Sequence, residues 1–137
     1  MPTTKAQSVI QTNDNVLETA IRDLLAVVIS NLDNSKAEDI LAIDLRQYSA
    51  LSDYMIIASG RSQRHVNSIA DHLLRCLKEH KIKKVNIEGL QGGDWILVDA
   101  GDVIVHIFEQ EKRAFYNIEK LWSHDENLID ISNYVKE

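Results

Sequence analysis

An α/β (α+β) domain, with a mixed β-sheet of about five strands flanked by helices, is the fold this sequence predicts. Three observations lead there. Apolar residues recur at three-and-four spacing in Val16–Asn31 and again from Val66 to Leu77, the mark of two helices that each bury one stripe. Short runs rich in branched residues, Ile40–Leu45, Tyr54–Ala58, Trp95–Asp99 and Val103–Phe108, are too brief for typical helices and read as strands. The 137 residues, 45% hydrophobic and 26% charged, have the size and composition of one self-sufficient core, away from the disordered and fibrous extremes.

The elements follow in order. Residues 1–15 lack both an apolar signal core and an Arg-rich amphipathic pattern and contain Asp14, so they are expected as a flexible leader to a domain over residues 16–123. The first helix turns Leu17, Ile21, Leu24, Leu25 and Val28 to one side, and the polar stretch Asn31–Ser35 ends it. Ile40–Leu45 is the first strand, and Ser49–Asp53 supplies turn residues. Tyr54–Ala58 is apolar throughout, the signature of a central strand covered on both faces. Ser62 is a suitable N-cap for a second helix whose stripe is Val66, Ile69, Ala70, Leu73 and Leu77, ending near His80. Lys84–Glu88 is a short strand and Gly89–Gly93 a loop. Trp95–Asp99 and Val103–Phe108 form a hairpin across Ala100-Gly101. Arg113–Trp122 returns to helical spacing through Phe115, Ile118 and Leu121, and residues 124–137 form an acidic tail expected to be loosely attached.

Charge and cysteine content narrow the functional classes. Fifteen Lys and Arg against 21 Asp and Glu give a formal charge of −6, which repels phosphate and suits a basic protein partner better than a long nucleic acid. A single cysteine, Cys76, closes no internal disulfide and fits a reducing, cytoplasmic setting. No apolar run approaches the roughly 20 residues of a membrane-spanning helix.

No complete catalytic, metal or cofactor site assembles. His72 and Cys76 lie four apart on one helical face, but zinc needs three or four ligands, and His65 or His106 could join only in space. Gly60 and Ser62 stand between a strand and a helix, where free N–H groups attract anions, yet their spacing matches neither common phosphate loop. Arg61, Arg64 and His65 crowd that positive helix end, leaving either an anion or acidic partner there, or solvated loop charges. Nucleophilic catalysis lacks an elbow motif and an activated cysteine. Asp94, Asp99 and Asp102, or Asp53 in place of Asp94, could hold magnesium in a nucleotide-handling enzyme, but that chemistry usually wants two carboxylates alternating on one strand with phosphate-binding glycines nearby.

With Ala100 and Gly101 as the loop, Asp99 pairs with Asp102, Leu97 with Ile104 and Trp95 with His106. Ile96, Val98, Val103, Val105 and Ile107 then make an apolar face under helices. Trp95, Leu97, Asp99, Asp102, Ile104 and His106 make a mixed face turned outward. Trp95 is either an aromatic anchor for a cationic partner or a ring covered by its own chain. A bulged turn with Gly101 left-handed would shift the register by one and exchange the partners.

Four segments, SDYMI at Ser52–Ile56, GRSQRHV at Gly60–Val66, DWILVDAGDVIVH at Asp94–His106 and RAFYNIEKLW at Arg113–Trp122, together resemble the Iojap family of ribosomal silencing factors, from about Val16 to Ser123. The resemblance implies a nucleotidyltransferase-like fold without catalytic residues. It also implies a non-enzymatic protein, without cofactor or small-molecule substrate, that binds the large ribosomal subunit through its fourteenth ribosomal protein and blocks small-subunit joining. Carried onto this chain, the partner surface centres on Trp95, Leu97, Asp99 and Asp102, with His106 on the same face and Tyr116 and Glu119 from the last helix. Two alternatives stand beside it: a nucleotide-binding or nucleotidyl-transfer enzyme, and a direct RNA binder using Arg61, Arg64, His65, Lys78, Lys81, Lys83 and Lys84. RNA contact is otherwise expected to be peripheral. A sheet edge and an exposed aromatic face also allow a homodimer.

Overall fold

A computed structural model describes residues 2–89 and 91–136, with side chains from residue 18 onward apart from residue 91. In chain order the elements are α1 (Pro2–Asn34), β1 (Glu38–Asp44), β2 (Tyr54–Gly60), α2 (Gln63–Glu79), β3 (Asn86–Gly89), β4 (Trp95–Asp99), β5 (Val103–Glu109), α3 (Gln110–Tyr116), α4 (Ile118–Trp122) and β6 (Leu128–Ile129), with single 3-10 turns at Gln91–Gly93 and Asp125–Asn127. The sheet has six strands in the order β3-β4-β5-β2-β1-β6. Only β2 and β5 run parallel; every other neighbouring pair is antiparallel. The sheet is therefore mixed, as expected, with one strand more than the sequence suggested.

β2 is buried along its whole length, so both faces of the sheet must be covered. Pleating sends Tyr54, Ile56 and Ala58 to one side and Met55 and Ile57 to the other. The first side meets α1 and α2 in a core of Leu25, Val28, Ile29, Leu32, Val66, Ile69, Ala70, Leu73 and Leu77 over Ile96, Val98, Val103, Val105 and Ile107. The second side carries a smaller core of Ile43, Leu45, Met55, Ile57 and Phe108, closed by Trp95, Ile118 and Trp122.

α2 forms where expected. Ser62 accepts a hydrogen bond from the His65 N–H as its N-cap, and its five buried residues are the five of the predicted stripe. α1 is longer than the expected Val16–Asn31. It begins at Pro2 and so includes the segment expected as a leader, whose side chains lie outside the described residues, as does that of Leu17. Its described stripe continues past Val28 through Ile29 and Leu32, both fully buried.

The tail is where the structure departs furthest from expectation. Instead of hanging loosely, residues after Ser123 lay β6 against β1, pairing Ala42 with Ile129 and Ile43 with Leu128. Ile129, Ile131, Tyr134 and Val135 pack on the helical core. Buried Asn127 locks the approach: its Oδ1 accepts from the His124 N–H at 2.6 Å and its Nδ2–H donates to the Trp122 carbonyl at 2.9 Å. Further on, the Lys136 N–H donates to Asp33 Oδ2 at 2.8 Å. Polar bonds and scattered apolar contacts together hold this segment, and with no regular helical stripe amphipathicity could not reveal it. Asn127→Ala strands the buried groups and is expected to destabilise the fold by about 2 kcal/mol, checked by the urea midpoint; an unchanged midpoint would show the tail to be dispensable.

Candidate partner-binding surface

The hairpin turn sits one residue later than expected. Ala100 pairs with Val103 through its N–H at 2.9 Å, leaving Gly101-Asp102 as the two-residue loop. Gly101 has φ of +87°, the left-handed value that a primed hairpin turn needs at its first central position. The ladder consequently moves by two residues, and Trp95 faces Phe108, Leu97 faces His106 and Asp99 faces Ile104. A shift of two preserves which face each side chain occupies. The expected faces therefore stand while the expected partners do not.

Asp99 and Asp102 are not cross-strand neighbours. Asp99 Oδ1 accepts the Gly101 N–H at 2.8 Å, closing the turn. Asp102 is exposed in the loop, and its carbonyl accepts from the N–H groups of Asp53 and Tyr54. Both sit at the far end of β4 from Trp95.

The mixed face is not simply outward either. Phe108 is fully buried, and His106 retains 9% of its surface. Trp95 is half-buried: its ring stacks on Phe108 at 4.8 Å between centroids and tilts against Tyr116 at 4.9 Å. Its indole Nε1–H donates to His106 Nδ1 at 3.0 Å. Since indole can only donate, His106 must keep Nδ1 unprotonated and carry its proton on Nε2. Burial acts the same way, pushing the His106 pKa down from the ordinary 6.5 to about 4. His106 is thus a neutral support beneath Trp95, while Leu97 is half-buried beside it.

The expected single helix over Arg113–Trp122 is broken. Asn117 adopts a left-handed conformation, φ 48° and ψ 49°, ending α3 and starting α4. Asparagine tolerates this region better than most residues. The break changes the helical phase, so of the expected stripe only Ile118 packs inward, while Phe115 is 77% and Leu121 73% exposed. Phe115 meets the edge of Tyr116 at 5.1 Å.

Arg113 ties the two short helices to the sheet. Its Nε donates to Glu119 Oε1 at 2.7 Å, and its Nη1 donates to the Asp39 carbonyl at 2.6 Å and to Ser59 Oγ at 2.8 Å. Glu119 is thereby engaged within the chain. Tyr116, Trp95 and Leu97 come together on one surface; Glu119 braces it, and Asp99 and Asp102 lie apart. Phe115 was missed as a surface residue because its spacing imitates a core position.

The other clusters find partners inside the molecule. His72 Nδ1 lies 3.0 Å from Ser35 Oγ, and His80 Nδ1 lies 3.8 Å from Cys76 Sγ. Among the described residues, no three His, Cys, Asp or Glu side chains are grouped to hold a metal ion. At the start of α2, Arg61 pairs with Glu38 at 2.6 Å, and His65 lies between the Arg61 N–H and the Ser35 carbonyl. A Cβ on Gly60 would meet Val66 Cγ2 at 2.8 Å, so helix packing accounts for that glycine. Arg61 and His65 are thus partnered by the chain itself, whereas Arg64 forms no ion pair among the described residues. No described helix is long and apolar enough to cross a membrane.

The His106 support makes stability depend on acidity. Between pH 6.5 and about 4 the unfolded chain takes up a proton that the folded chain refuses, so stability falls as pH drops through that window. In urea titrations at several pH values, His106→Phe, which has no proton to gain, is expected to show the shallower decline; equal slopes would remove His106 as the cause.

Comparison with known proteins places this geometry. A family model described as "Ribosomal silencing factor during starvation" matches residues 18–137. The chain is 46% identical over 113 residues to the ribosomal silencing factor RsfS of Zymomonas mobilis, covering 82% of this chain and 85% of that protein. A mouse relative named mitochondrial assembly of ribosomal large subunit protein 1 is 34% identical over 112 residues, 77% of this chain and 49% of its own length. The crystal structure of a Chromobacterium violaceum protein, 34% identical, superposes with a TM-score of 0.72 over 82% of this chain and 95% of that one. With its six-stranded mixed sheet and its aromatic surface on β4 and α3, the chain belongs to the ribosomal silencing factor family.

Proposed function

We propose that this protein binds the large ribosomal subunit through the fourteenth ribosomal protein and lowers translation by obstructing small-subunit joining. The observation that carries the reading is the continuous aromatic and apolar surface from Leu97 through Trp95 and Tyr116 to Phe115. Surfaces of this composition, desolvated at the centre and polar at the rim, are the usual anchors of protein interfaces. The names borne by the Zymomonas and mouse relatives support a role in silencing and at the large subunit. Steric exclusion makes and breaks no bond, so it needs affinity and position only. A stable interface occupies about 800 Å² per partner, a small part of the 9030 Å² this chain exposes.

In this reading Trp95 and Leu97 anchor the partner, Tyr116 and Phe115 extend the contact, and His106 and Glu119 hold those groups in place. Asp99 and Asp102 would meet the partner only at the distant rim. The lysines at 78, 81, 83 and 84 are exposed and would supply at most peripheral RNA contact. Pairing of two copies through the β3 edge and the aromatic face would bury the same surface, making self-association and subunit binding alternatives. The setting would be the cytoplasm, where subunits join.

Trp95→Ala is expected to weaken large-subunit binding by roughly 2 kcal/mol or more, measured by co-sedimentation. Because Trp95 also stacks inside the chain, Phe115→Ala is the companion variant: it should weaken binding while leaving the thermal midpoint in place. Unchanged affinity in both would remove this surface from the interface. Subunit joining that proceeds normally, by light scattering, at saturating protein would end the silencing reading.

A further inference from the structure

A cleft of about 260 Å³ opens over one face of the β3–β4 pair at its Trp95 end, lined by Glu88, Gly89, Trp95 and Leu97. Its size suits one long side chain, since drug-sized ligands occupy roughly 300–1,000 Å³. Glu88 stands directly across the ladder from Leu97, so both side chains leave the same face of the sheet, Trp95 two residues along with them. All of β3 is exposed at the sheet edge. Among the described residues Glu88 forms no ion pair, whereas Glu18, Glu38, Asp44 and Glu119 each have an arginine.

Among the described residues the cleft offers a visitor two apolar walls, one unpaired carboxylate and no free indole donor, because the Trp95 N–H is already spent on His106. An anion meets no positive side chain among those residues and is repelled by Glu88. A side chain that is apolar along its stem and positive at its tip matches every wall. Arginine matches better than lysine: its planar guanidinium is less strongly hydrated, lies well against an indole, and engages a carboxylate through two N–H donors.

We infer that the β3–β4 cleft is a socket for an arginine side chain of a basic partner protein, its stem resting on Leu97 and Trp95 and its guanidinium meeting the Glu88 carboxylate. The inference rests on the partner-binding reading above and names the chemistry by which that surface selects its partner. The chain's net charge of −6 draws such a partner in.

Two experiments on the full chain test it. In NMR titrations with a blocked Gly-Arg-Gly peptide, saturable shifts are expected at the Trp95 indole N–H and the Glu88 and Leu97 amides. The same peptide carrying citrulline should give none, and Glu88→Gln should abolish the response. Equal responses to both peptides, an undiminished response in Glu88→Gln, or none up to tens of millimolar overturns the socket. With purified large subunits, Glu88→Gln is expected to raise Kd about 5-fold and Glu88→Lys about 30-fold or more, at an unchanged thermal midpoint because the residue is exposed. Affinities equal to that of the unsubstituted chain overturn the socket at the ribosome, as does tighter binding of Glu88→Lys to intact subunits, which would mean that the cleft faces phosphate. A positive peptide titration without any subunit binding by the unsubstituted chain supports the socket and sinks the ribosomal reading instead.

Discussion

Complete burial of β2 is the constraint from which the rest of the architecture follows. A strand with apolar side chains on both faces has to be covered twice, and the two covers differ in kind. On one side α1 and α2 supply long aliphatic stripes. On the other, the described residues that close the sheet come from two short helices and a handful of aromatic rings. Phe108, fully buried beneath Trp95, is the hinge between these jobs: its inner side completes the core with Met55 and Ile57, and its outer side supports the ring that is offered to a partner. The binding surface is thus the thin cover of the sheet.

That economy explains why polar side chains do so much positioning on the thin side. His106 fixes the Trp95 ring by accepting its N–H, and Arg113 clamps α3 and α4 to β1 and β2 through Glu119, the Asp39 carbonyl and Ser59. Hydrogen bonds specify orientation more sharply than apolar packing does. A surface assembled from five- and seven-residue helices needs that specification to present one shape. The thick side rests mainly on its long stripes, with a few polar ties such as Ser35 to His72 and Gln63 to Asp94 added at the ends of its helices.

Legibility in the sequence followed the same division. α2 was readable in full because cap, stripe and end are local signals: Ser62, the Val66–Leu77 spacing, His80. β2 was readable because burial on both faces leaves the unbroken apolar run Tyr54–Ala58. The hairpin was readable in its faces and misread in its partners, since Ala100-Gly101 and Gly101-Asp102 are both plausible loops and differ by two in register; only the need for a left-handed glycine at the first loop position separates them. The break at Asn117 was invisible because Phe115, Ile118 and Leu121 keep helical spacing across it. The tail was invisible because the Asn127 hydrogen bonds, a two-residue strand and irregularly spaced apolar contacts hold it, none of which leaves a periodic pattern. Site residues fared likewise: Trp95, Leu97 and Tyr116 converge, whereas Glu119 proved to be a brace and Glu88 carried no motif that could mark it.

The docked tail also decides where the molecule can be handled. Ser30 Oγ donates to the Tyr134 carbonyl and Asp33 takes the Lys136 N–H, so the last described residues run beside α1, behind the sheet as seen from Trp95. A fluorophore or affinity handle placed at the exposed Lys136 position would sit on that rear side, leaving the aromatic front clear for immobilised-ligand measurements.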